Sequence, residues 1–161
     1  MRIERDAARS VGWRWLGVAA LAALGLLPLV PVLVAVVPSL APLGQVLGVW
    51  FDLHCERDPA RTLLLSGVPL AVCARCSGIY FGLGLGAAVR RPKLSPRALR
   101  GWVLAAAAFM LLDVELERRG LHGAWTGLRV LTGLLLAYPV GAGLGLLLQG
   151  APTNQKAAQS P

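Results

Sequence analysis

Apolar residues fill four stretches of the chain, and polar residues collect between them. Leu16 to Val37 is an unbroken apolar run of 22 residues. A helix that crosses a bilayer needs about 20 such residues, so a first span is expected over residues 16–37. Pro28 and Pro31 fall inside it. Membrane helices accommodate proline when neighbours re-satisfy the freed carbonyls, so a kink is expected rather than a break. The run exceeds the apolar core of a cleavable secretory signal, about 7–15 residues. A span is therefore preferred over cleavage near Ser39-Leu40-Ala41.

Leu43, Val46, Leu47 and Trp50 then recur at i, i+3, i+4 and i+7. That stripe predicts a short helix lying on the bilayer surface. Residues 70–89 form a second apolar run, interrupted by Arg75 alone among charged residues before Arg90. A third span over 101–115 carries Asp113 to membrane depth, and a fourth covers 130–148. Residues 113–129 read as a charged loop. The expected fold is an all-α integral membrane bundle of four transmembrane helices, with the short interfacial helix between spans 1 and 2. A basic arm (1–15) precedes the membrane domain (16–148), and a flexible polar tail (149–161) follows it.

Composition agrees with this pattern. The chain of 161 residues is 56% hydrophobic and 15% charged, with a mean hydropathy of +0.63. Soluble domains average about 45–50% apolar and about 25% charged. There are too few charges to clothe a soluble surface, and too many apolar residues for disorder. The net charge of +8 does not indicate a nucleic-acid partner, because the positives flank apolar runs and form no basic stripe. Ten of the sixteen Lys and Arg lie in the arm, the loop after span 2 and the tail; five lie in the other two loops. Cytoplasmic loops hold the excess, so both termini are expected in the cytoplasm of a bacterial inner membrane. Trp13, Trp15, Trp50, Trp102 and Trp125 all fall at expected span edges, where indoles meet the headgroups.

Gly78, Gly82 and Gly86 recur every four residues, as do Gly133, Ala137, Gly141 and Gly145. Small residues on one helix face let backbones approach closely in lipid. Spans 2 and 4 are expected to pack together, and the stripes also offer a route to a homo-oligomer. Gly82-Leu-Gly84-Leu-Gly86 lacks the spacing and the preceding strand of a phosphate-binding loop.

The three cysteines, Cys55, Cys73 and Cys76, fall within 22 residues, and the last two form a C-x-x-C. His54 and Glu56 flank Cys55. Three thiolates with one imidazole or carboxylate suit a tetrahedral zinc site. Thiol redox chemistry at Cys73–Cys76 is the rival reading, because a C-x-x-C lowers the thiol pKa and Arg75 favours thiolate further. Cysteines that merely fill apolar space are the third, which leaves a helix-packing or assembly protein. Arg75 and Asp113 are costly charges at membrane depth. Arg75 either snorkels to the headgroups or pairs with Asp113 or Glu56. Arg61 and Arg129 are placed to hold the outer loops against the cluster. His122 reads as a loop histidine.

Cys55-x-x-x-Pro59-x-Arg61-Thr62 and Val72-Cys73-Ala74-Arg75-Cys76-Ser77-Gly78-Ile79-Tyr80 resemble the signature of a bacterial membrane family, domain of unknown function two-zero-eight-five. Leu112-Asp113 and Leu128-Arg129-x-x-Thr132-Gly133 resemble its second signature. The resemblance covers roughly residues 45–145. It implies a small multi-span membrane protein and carries no activity. The family's His after the first Cys is Glu56 here, with His54 before that Cys, and its later Asn is Thr126.

Overall fold

The computed structural model describes residues 2–89, 95–121, 123 and 125–149. Arg90, Arg91, Pro92 and Lys93 of the basic loop, His122, and the tail from Gly150 onward lie outside the described residues.

Prolines divide the first apolar run. Helix α1 (Arg2–Leu26) passes through a 3-10 turn at Leu27–Leu29 into α2 (Val30–Val36). Pro28 and Pro31 each occupy the first turn of the piece they enter, where a missing N–H is tolerated. The expected kink is thus a short 3-10 interruption. The arm is helical from Arg2 and continuous with the span. Helix α3 (Ala41–Asp52) follows, at the place expected for the short helix.

The purely helical expectation needs correction. A two-stranded antiparallel hairpin, β1 (Thr62–Leu65) and β2 (Val68–Cys73), stands before the next helix. Its loop is Ser66-Gly67, with φ of 53° and 80°, and Leu65 pairs with Val68 across it. Two-residue hairpins favour positive φ at both loop positions, because that twist matches the strands. Leu70–Cys73, assigned above to the second span, is therefore strand. Helix α4 (Ala74–Ala88) starts only after it. Helix α5 (Pro96–Arg118) is capped by the Ser95 hydroxyl, which accepts from the Ala98 N–H. It runs on through Asp113 and Glu117, so the charged segment is helix to Arg118 and not loop. Helix α6 (Thr126–Gln149) begins before the expected span edge. Two stretches, Trp13–Val36 and Thr126–Leu148, are helical, long and apolar enough to cross a membrane.

Glycine sets the packing. A Cβ on Gly82 would lie 2.7 Å from the Leu134 carbonyl oxygen, and one on α6 Gly145 would lie 2.8 Å from that of Ala87. Gly78 and Gly86 meet the carbonyls of Val130 and Tyr138 closer still. The expected pairing of the two stripes, α4 against α6, holds. Gly84 faces the other way: a Cβ there would meet the Gly25 Cα of α1 at 2.8 Å. The alternating glycines of 82–86 thus serve two neighbours at once.

Pro139 lies inside α6. It has no N–H for the carbonyl four residues earlier, which is that of Leu135. Trp102 of α5 supplies the missing donor, with its Nε1 at 3.0 Å from the Leu135 oxygen. This tryptophan ties α5 to α6. At the hairpin end, Phe51, Cys55, Ala71 and Val72 form a buried cluster packed by Leu27, Leu47 and Tyr80. The rings of Phe51 and Tyr80 meet edge to face, with centroids 5.8 Å apart.

Candidate functional site

The hairpin and α4 are joined through the C-x-x-C. Cys73 ends β2 and is the N-cap of α4, in extended conformation at φ −60° and ψ 162°. Cys76 lies in the first turn of that helix. The third thiol arrives from the segment after α3, where the backbone N–H of Cys55 donates to the Phe51 carbonyl at 2.9 Å. The sulfurs of Cys55, Cys73 and Cys76 all lie within 4.8 Å of one another, and none is in a disulfide. The Cys73 N–H donates to the Cys55 sulfur at 3.3 Å.

These thiols are unequal. Cys73 caps the start of α4. Orphan N–H groups at a helix start favour an anion there. Burial pushes the Cys55 thiol up.

The cysteines line a pocket of about 220 Å³, together with His54, Glu56, Asp58, Arg61, Arg75 and Arg129. His54 stacks against Trp50, ring centroids 4.5 Å apart. Its Nδ1 lies 2.8 Å from the Trp50 carbonyl oxygen, and a carbonyl can only accept. Nδ1 therefore carries the proton, and in the neutral ring Nε2 keeps a lone pair. Neither His54 nor Glu56 contributes a ligand atom to the tight three-sulfur group.

A carboxylate hub stands behind the pocket. Arg75 Nη2 donates to Asp113 Oδ2 at 2.6 Å and lies 3.5 Å from Glu117 Oε2. Of the two partners expected, Arg75 takes Asp113 rather than Glu56 among the described contacts, and so turns to α5. Asp113 is 4% exposed, and Arg75 is half-buried. Glu117 also binds the buried Arg129 of α6, and it lies 3.8 Å from Arg61, which in turn pairs with Asp58 at 3.2 Å. One carboxylate thus draws together the hairpin approach, α4 and α6. Thr132, fully buried, donates to the Arg129 carbonyl at 3.0 Å.

Sequence reasoning missed Glu117. It stands among Glu115, Arg118 and Arg119 and reads as one charge of a solvated loop. Its spacing of four from Asp113 was the available signal, since residues at i and i+4 share a helix face.

Residues 55–143 match the family of predicted membrane proteins DUF2085. The chain belongs to this family. The DUF2085 match starts at Cys55 and takes in Cys73, Cys76, Arg75, Asp113, Glu117 and Arg129; His54 lies one residue outside it. Among relatives of this DUF2085 member, the uncharacterized protein MJ1492 of Methanocaldococcus jannaschii is 30% identical over 117 residues, which cover 64% of this chain and 75% of the relative. No solved structure matches the chain.

Proposed function

We propose that this DUF2085 protein holds a thiolate-bound metal ion, with zinc the best fit, through Cys55, Cys73 and Cys76 near the outer face of a bacterial inner membrane. The observation that carries the reading is the proximity of the three sulfurs, within 4.8 Å. Zinc–sulfur bonds of about 2.3 Å place tetrahedral sulfurs about 3.8 Å apart. Small shifts of side chains at a strand end, a first helical turn and a loop suffice to close that difference. The N–H of Cys73 already donates to the Cys55 sulfur, as an outer partner of a metal ligand does. A fourth position is left to His54 through Nε2, whose ring orientation is set by its bond to Trp50, or to water. Whether the ion serves structure or catalysis turns on that position.

This placement reads four spans, α1 with α2, α4, α5 and α6, of which α1 with α2 and α6 are long and apolar enough by themselves. Helix α4 has 15 residues, about 22 Å at 1.5 Å each, which is short of the roughly 30 Å hydrocarbon core. Strand β2 lengthens that crossing. The excess of Lys and Arg in the arm, the loop after α4 and the tail supports a cytoplasmic side for those parts and an outer side for the cysteines.

The experiment is elemental analysis of protein purified in mild detergent without chelator or reductant. About one zinc per chain is expected, and Cys73→Ser or Cys76→Ser should lose it. Metal-free wild-type protein would overturn the reading. A second reading rests on Cys73 as the N-cap of α4 with Cys76 in its first turn, the placement that suits a thiol–disulfide oxidoreductase or redox sensor. It requires a reversible Cys73–Cys76 disulfide. Thiols that stay alkylatable in an oxidising buffer would sink it.

A further inference from the structure

Away from the cysteines, α5 and α6 part. They are tied at Trp102 and Leu135. Toward the start of α5 and the end of α6 lies a groove of about 810 Å³. Leu99 and Val103 form one wall, and Val140 and Leu147 belong to the other. Gly143 is also part of the lining, and a Cβ there would meet nothing within 4 Å. Arg100 is the one charged residue of the lining.

The charge around this groove is one-sided. Arg57, Arg61, Arg75, Arg119 and Arg129, at the cysteine end, each have a carboxylate partner; of the described arginines there, Arg118 alone has none, and it stands among Glu115 and Glu117. Arg97 and Arg100 have none among the described residues. The sequence holds no Asp or Glu between residues 59 and 112, while Arg90, Arg91 and Lys93 immediately precede α5. An apolar channel beside arginines with no carboxylate partner among the described residues matches a long hydrocarbon chain with a negative head. Basic pockets between membrane helices on the cytoplasmic side recognise acidic phospholipids on this principle. The N-terminus of α5 adds its own partial positive charge.

We propose that the groove between α5 and α6 binds an anionic phospholipid, with an acyl chain along Leu99, Val103, Val140 and Gly143 and the phosphate held by Arg97 and Arg100. The lipid fills space that neither helix fills and neutralises two cations that have no carboxylate partner among the described residues.

The test is lipid titration of the full chain, delipidated in detergent, read by native mass spectrometry with phosphatidylglycerol and phosphatidylcholine as probes. Phosphatidylglycerol should bind more tightly by on the order of tenfold, given two arginines near the headgroup. The double variant Arg97→Gln, Arg100→Gln should bind the two lipids alike. Gly143→Leu fills the channel and should weaken both. Each variant's helical circular dichroism must match the wild type, which separates lost binding from lost fold. Equal affinity of wild type for the two lipids, or unchanged binding by Gly143→Leu, overturns the proposal. So does a dimer that excludes lipid, since a second copy would then cover the groove.

Discussion

The indole Nε1 of Trp102 donates to the carbonyl of Leu135 at 3.0 Å, the acceptor that Pro139 leaves without its helical partner. A proline in one helix and a tryptophan in the next are thus two halves of one hydrogen-bond account. Pro139 alone would strand a carbonyl inside α6, and Trp102 alone would bring an unpaired N–H to a half-buried contact.

Trp102→Phe should therefore destabilise the protein by about 1–3 kcal/mol, the cost of an unsatisfied buried polar group. Pro139→Ala restores the backbone bond within α6, so the same Trp102→Phe change should cost less in that background. Unfolding of the two single variants and the double variant in mixed detergent, read as a mutant cycle, checks this. Equal losses in both backgrounds would separate the two residues.

The half-buried Arg75 and the buried Asp113 form an ion pair between α4 and α5, and Arg75 also faces Glu117. Removing one partner should cost about 1–3 kcal/mol, as for a charged hydrogen bond lost at a buried group. Asp113→Asn and Arg75→Met should each lower the unfolding midpoint. The double variant Arg75→Met, Asp113→Leu should recover much of the loss, because apolar replacement of a buried pair is often neutral. Equilibrium unfolding of the three variants is the measurement; additive losses would mean that the pair does not act as a unit.

Gly82→Leu should block close packing of α4 on α6, since even its Cβ would fall 2.7 Å from the Leu134 oxygen. Overpacking typically costs about 1–3 kcal/mol, and a backbone obstacle gives little room for relief. Gly101 of α5 has nothing within 4 Å of its own Cβ position. Gly101→Ala should be neutral or stabilising by up to about 1 kcal/mol through helix propensity. Thermal aggregation of the two variants in detergent separates packing from propensity.

Much of this was legible because rare residue types stand out against an apolar background. Three cysteines, Arg75 and Asp113 are conspicuous among Leu, Val, Ala and Gly, and glycines every four residues mark the α4–α6 contact. The hairpin was less visible. Leu63 to Leu65 and Leu70 to Val72 are apolar enough to merge with the second span, and periodicity does not separate a short buried strand from a helix segment. Ser66-Gly67 was the cue, a turn pair between two apolar runs. Glu117 was hidden for the opposite reason, being one charge among several. The N–H donor that Pro139 removes, and its replacement across the helix interface, is a relation of two distant positions that neither shows alone.

The glycine faces of α4 have a consequence for the cysteines. With Gly78, Gly82 and Gly86 against α6 and Gly84 against Gly25, backbone meets backbone on two sides of the helix. Successive residues of an α-helix are offset by about 100°, so turning α4 by one position would drive Leu83, Leu85 or Phe81 into a neighbouring main chain. The helix is keyed like a shaft in its bearing. Arg75 and Cys76 ride on its first turn, so their compass bearing toward α5 and toward Cys55 is fixed several turns away, by residues that have no side chain at all.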